Sequence, residues 1–147
     1  MTRILIVEDD PMVANLNSRL IQTMEGFELA GIASDAKEAL SFLAENTVDL
    51  ILLDIYMPGM NGLEMLSRVR EMKCPVDVLV VSAARDSNSI QSALRNGAVD
   101  YLIKPFDFER LRQALQAYAN RSRLIRSHEK LTQQELDGRI LSKDHSD

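Results

Sequence analysis

Leu50-Ile51-Leu52-Leu53-Asp54-Ile55-Tyr56-Met57-Pro58-Gly59-Met60-Asn61-Gly62 is the stretch on which the fold turns. Its first four residues are all apolar, whereas a half-buried strand would alternate apolar with polar. An unbroken run this short is expected of a strand buried on both faces of a parallel sheet. Asp54 ends the run, and Asn61-Gly62 is a turn or cap signal. Over residues 63–72 apolar side chains then recur at spacings of three and four, which predicts a helix.

The same alternation extends in both directions along the chain. Short apolar runs at 4–7, 29–33, 78–81 and 101–103 read as strands, and helical spacing covers 12–24, 36–44, 89–95 and 108–118. Asp10-Pro11 and Ser34-Asp35 are helix-start signals, Asn96-Gly97 is a turn or cap, and Pro75 and Pro105 interrupt helix-compatible patterns. Five strands alternating with five helices predict an open, doubly wound α/β sheet, because right-handed crossovers place helices on both faces. Ligands in such sheets bind beyond the carboxyl ends of the strands.

Composition narrows the function classes. With 147 residues the chain fits one domain plus a short extension. No apolar run approaches the roughly 18 residues of a membrane span, and the acidic residues from Glu8 onward cut the first run too short for a signal-peptide core. A cytoplasmic location is therefore expected. Cys74 is the single cysteine, which excludes an intrachain disulfide and a cysteine-rich zinc site. Residues 1–118 hold 11 basic and 17 acidic side chains against 6 and 5 in residues 119–147. A body of that sign repels a nucleic-acid backbone and suits a cation site better. No GxGxxG or GxxxxGK[ST] occurs, which counts against dinucleotide and nucleoside-triphosphate binding. The methionines at 12, 24, 57, 60, 65 and 72 read as gap-fillers of the core, and His128 and His145 have no partners at ligand spacing.

Function is carried by the residues that follow four of the five apolar runs: Glu8-Asp9, Asp54, Ser82 and Lys104. Alone, an aspartate after an apolar run is usually a cap or turn former. Parallel strands, however, bring all of these to one edge. Carboxylates gathered there repel one another, and protonation or a cation must relieve the repulsion. Hard oxygen ligands favour Mg2+, which binds one or two carboxylates together with waters and phosphate oxygens. Asp54 is then the natural nucleophile toward phosphorus, since a carboxylate needs no prior deprotonation to form an acyl phosphate. Lys104 and Ser82 would direct a charge and a hydroxyl at the transferring oxygens. Asp10 is assigned to capping the first helix.

An acidic pair, a central aspartate, a Ser or Thr, an aromatic and a Lys-Pro occur here in the order found in the receiver domains of two-component response regulators, and the chain resembles that family over residues 3–118. The whole segment 53–62 is similar to the family's stretch around its phosphorylated aspartate. The resemblance implies a flavodoxin-like strand order of 2-1-3-4-5. It also implies that Asp9 and Asp54 ligate Mg2+ directly, with Glu8 acting mainly through water and the backbone carbonyl of Tyr56 completing the protein ligands. Asp54 would be phosphorylated by a sensor histidine kinase, Ser82 and Tyr101 would form a switch pair, and Lys104-Pro105 would be a cis peptide. Tyr56 and Ala84 would flank the pocket and tune the lifetime of the acyl phosphate.

Beyond residue 118 the chain reads as a tail. Phe108, Leu111, Leu115, Tyr118, Ser122 and Ile125 form a seam that could extend the last helix, and Thr132-Gln133-Gln134-Glu135 resembles a capping box. The segment 131–136 is similar to the linker of regulators of citrate and dicarboxylate uptake. Residues 1–118 are thus expected to be the receiver and 119–147 a helical linker toward a DNA-binding effector that this sequence lacks. Homodimerisation on phosphorylation is a further expectation. The alternatives are a stand-alone receiver acting by phospho-dependent protein binding or phosphorelay, and an aspartate-nucleophile phosphatase. The phosphatase would need a second aspartate where Tyr56 stands, so no enzyme acting on a separate substrate is expected.

Overall fold

A computed structural model describes residues 1–127. Its elements are β1 (Thr2–Val7), α1 (Pro11–Thr23), β2 (Phe27–Ala33), α2 (Ala36–Glu45), β3 (Leu50–Leu53), α3 (Gly62–Glu71), β4 (Asp77–Ser82), α4 (Ser87–Arg95), β5 (Ala98–Ile103) and α5 (Phe108–Ser127). The five strands are all parallel and lie in the order β2-β1-β3-β4-β5, so the implied flavodoxin-like order is the observed one.

The unbroken apolar runs are explained by the two faces they serve. Leu5, Val7, Ile51, Leu53, Val78 and Val80 point to one side and form a core with Ala36 and Ala39 of α2, Met65, Leu66 and Val69 of α3, and Ala93 of α4. Their chain neighbours Ile4, Ile6, Leu50, Leu52, Leu79 and Val81 are equally buried on the opposite side, where α1 contributes Leu20 and Ile21. A two-residue period thus sends alternate side chains into two separate cores.

Helix starts follow the cap residues. Asp10, Asp35, Asn61 and Asp86 each accept a hydrogen bond from a backbone N–H of the first turn, at Met12, Glu38, Glu64 and Ser89 respectively. The cap at Asp86 starts α4 two residues earlier than the apolar spacing indicates. The helix α5 is continuous from Phe108 to Ser127, as the seam past Tyr118 foresaw. Residues 1–111 form one compact unit, and a second begins at Arg112. The capping box at 132–135, His128 and His145 lie outside the described residues.

Candidate functional site

The register of the sheet aligns the strand ends: Val7 lies beside Leu53, Leu53 beside Val80, and Ser82 beside Ile103. The ladder then runs one residue further. Glu8, Asp54 and Lys104 donate their backbone N–H groups to the carbonyls of Ala33, Val7 and Ser82 at 3.0, 3.1 and 2.8 Å. The backbones that carry the three charged side chains are therefore as fixed as the sheet itself.

Lys104 Nζ reaches across this edge to Glu8 Oε1 at 2.9 Å and Asp54 Oδ2 at 3.2 Å, although 96 residues separate it from Glu8. The other oxygen of each carboxylate accepts a backbone N–H, Asp54 Oδ1 from Tyr56 and Glu8 Oε2 from Asp10, both at 3.1 Å. Glu8 and Asp54 are buried at 3% and 5% exposure, while Asp9 is open to solvent. One oxygen from each of Glu8, Asp9 and Asp54 lies within 4.8 Å of the others. This donor set of hard oxygens, two of them withdrawn from water, fits a small divalent cation with coordination positions left for water or phosphate.

Electrostatics reflect the crowding. Burial pushes the Glu8 carboxyl above the usual range; the Lys104 hydrogen bond and the Asp10 N–H pull it down, while the nearby Asp54 charge raises it again. Burial alone would lower the Lys104 ammonium, but its bond to Glu8 and the charges of Asp54 and Glu8 outweigh that and raise it. The lysine therefore holds its charge to higher pH than a free ammonium would.

Ser82 is fully buried, and its Oγ accepts the N–H of Ala84 at 3.2 Å. Tyr101 donates its hydroxyl to the carbonyl of the same Ala84 at 2.6 Å. Burial, followed by the charges of Asp86 and Tyr56, raises the Tyr101 phenol. The expected switch pair thus meets at the two main-chain groups of one residue in the β4–α4 loop. Lys104-Pro105 is a cis peptide, and the Tyr56 side chain is exposed at the rim.

Two arginines escaped the sequence reading. Arg85 donates to the Lys104 carbonyl at 3.3 Å, joining the β4–α4 loop to the segment after β5. Arg70 of α3 donates to the carbonyls of Val76 at 2.6 Å, Asn96 at 2.8 Å and Cys74 at 3.4 Å. Neither sits in a motif, and their acceptors are main-chain atoms, so no local signal marks them.

Among the described residues no helix is long and apolar enough to cross a membrane. The response regulator receiver domain family matches residues 4–116. The transcriptional regulatory protein MalR of Bacillus subtilis is 51% identical over 97% of this chain and 61% of its own length. DcuR, a transcriptional regulatory protein of Escherichia coli, is 41% identical over 93% of this chain and 58% of its own. This chain thus spans about three fifths of the length of these curated relatives. Among solved structures, a CheX-CheY-BeF3-Mg2+ complex from Borrelia burgdorferi matches with a TM-score of 0.73 and 27% identity, covering 80% of this chain and 88% of that one. The strand order, the acidic edge and these likenesses agree: the chain belongs to the response regulator receiver domain family and is related to transcriptional regulators.

Proposed function

We propose that the chain is a phosphorylation switch in which a sensor histidine kinase delivers a phosphoryl group to Asp54, with Mg2+ held by Glu8, Asp9, Asp54 and the carbonyl of Tyr56. The observation that carries this reading is the buried Asp54 carboxylate, tied to Lys104 within an acidic cluster of Glu8, Asp9 and Asp54. The relative solved as a complex with BeF3 and Mg2+ supports it.

One Asp54 oxygen bonds to phosphorus as the phosphorus–nitrogen bond of the donor imidazole breaks. The bonding pair returns to the ring nitrogen, and an acyl phosphate results. No general base is required, because a carboxylate attacks phosphorus without prior deprotonation. Bound Mg2+ would neutralise charge on the phosphoryl oxygens. Lys104, already on Asp54 Oδ2, supplies a second positive charge, and the Ser82 hydroxyl turns from the Ala84 N–H to hydrogen-bond the product. That turn releases one of the two bonds on Ala84, and Tyr101, holding the other, reports the change along β5. The chain would thus catalyse only its own phosphorylation and dephosphorylation.

Residues 1–118 are assigned to the receiver, and 119–147 to a helical linker toward an effector domain through which DNA would be bound. The relatives are named as transcriptional regulators and extend well beyond the matched segment, which supports that output. The names of further relatives, which include a probable C4-dicarboxylate response regulator of Bacillus subtilis, favour a cytoplasmic circuit responding to small dicarboxylates. Homodimerisation on phosphorylation is assigned to the same state and is read by sedimentation with and without phosphodonor.

The test is intact mass after treatment with a small phosphodonor, with and without Mg2+, for the wild type and Asp54→Asn. A Mg2+-dependent gain of one phosphoryl group, absent from Asp54→Asn, is expected. A gain that survives in Asp54→Asn would place the acceptor elsewhere, and no gain in the wild type would leave a receiver regulated by binding alone.

A further inference from the structure

We infer that Gly62 is a positioning residue for the phosphoacceptor site: its missing side chain lets the first turn of α3 rest directly on the peptide between Asp54 and Ile55. A Cβ at Gly62 would lie 2.5 Å from the Asp54 carbonyl oxygen, 2.7 Å from Ile55 Cα and 3.1 Å from the Asp54 carbonyl carbon. These are main-chain atoms, which cannot rotate aside as the end of a side chain can. Gly62 is not among the residues of positive φ, so space rather than backbone conformation demands glycine here.

The peptide is held from both sides. Asp54 N–H is bonded to the Val7 carbonyl at 3.1 Å, and Gly62 N–H is bonded to the Ile55 carbonyl at 2.8 Å. Asn61 in turn secures the first turn of α3 through the Glu64 N–H at 3.0 Å. The contact therefore sets where Asp54 and, two residues on, Tyr56 stand relative to Glu8 and Asp9, which follow β1. A methyl group at 62 forces the peptide and the helix apart by about half an ångström, the displacement at which a preorganised site loses its productive geometry. Mg2+ tolerates little such error, because it demands near-ideal octahedral geometry at about 2.0–2.1 Å.

This inference rests on the reading of the acidic cluster as a Mg2+ site. It also has an internal control. A Cβ at Gly31 would come 2.9 Å from the Phe42 ring, a milder intrusion against the outer atoms of a side chain, and on β2, which carries none of the site residues. Gly62→Ala and Gly31→Ala are compared with the wild type by following backbone amide resonances during Mg2+ titration and by urea unfolding. Gly62→Ala is expected to weaken Mg2+ binding by about tenfold or more, the usual loss when a ligand's support is removed. Gly31→Ala is expected to keep the wild-type affinity. Wild-type affinity in Gly62→Ala overturns the inference, as does an equal loss in Gly31→Ala, which would make the effect one of general destabilisation. Should Gly62→Ala fail to fold, Asn61→Ala, which loosens the same turn, replaces it and must weaken Mg2+ binding in the same direction. A wild type that shows no Mg2+-dependent shifts overturns the metal-site reading itself, and this inference with it.

Discussion

Lys104→Met removes the cation that bridges two buried carboxylates. The geometry sets the scale: at 2.9 and 3.2 Å, and with an effective dielectric constant of about 20, the attractions to Glu8 and Asp54 come to about 6 and about 5 kcal/mol before desolvation. Most of this offsets the cost of burying the charges. Removing one partner of such a group typically costs about 3–5 kcal/mol, because the remaining charges are left uncompensated. The lysine side chain keeps 25% of its exposure, so water screens part of the loss and the lower end, about 3 kcal/mol, is expected. In a domain of this size that lowers the melting temperature by about 10–15 °C. The sequence contains no tryptophan, so urea unfolding is followed by far-UV circular dichroism, in chelator and in millimolar Mg2+. The variant should be destabilised in chelator and should gain more from Mg2+ than the wild type does, because the metal takes over the neutralisation without a competing ammonium. A variant as stable as the wild type in chelator would refute the reasoning, since Glu8 and Asp54 would then need no cation between them.

Two further perturbations probe the surroundings of the site. Arg70→Ala leaves the carbonyls of Val76, Asn96 and Cys74 without their guanidinium and is expected to cost about 2–3 kcal/mol; Arg70→Lys, with no planar fork, should recover only part of it, and full recovery would show that charge alone suffices. Asp86 is held below the usual carboxylate range mainly by the Ser89 N–H, so its contribution is present above its unfolded pKa and is lost as pH falls through the lowered folded value. Asp86→Ala should therefore speed amide exchange in the first turn of α4 at neutral pH but not in strong acid, where the wild-type carboxyl is also protonated; a difference of equal size in acid would argue against the carboxylate cap.

Much of the α/β alternation was legible because its signals are local. An apolar run such as Leu50–Leu53 carries its two-sided burial in its own composition, and Asp10, Asp35 and Asn61 announce helix starts within one turn of where they act. The strand β5 spans Ala98–Ile103, whereas its apolar run covers only residues 101–103. As an edge strand it has only one neighbour, and its first residues Ala98, Val99 and Asp100 are half-buried, so burial imposes no continuous apolar run there.

The sequence by itself determined that buried parallel strands would alternate with helices and that acids, a serine and a lysine would end those strands, since both follow from residue order and the strand period. The tertiary structure decided which of these touch. The Lys104 contacts to Glu8 and Asp54 span 96 and 50 residues, and only the sheet register closes such distances. The meeting of Ser82 and Tyr101 on Ala84, the three carbonyls gathered by Arg70 and the press of Gly62 on the Asp54 peptide were likewise settled by packing. In each the partner is a main-chain atom, which every residue type supplies alike, so the sequence carries no mark of where such a bond will form.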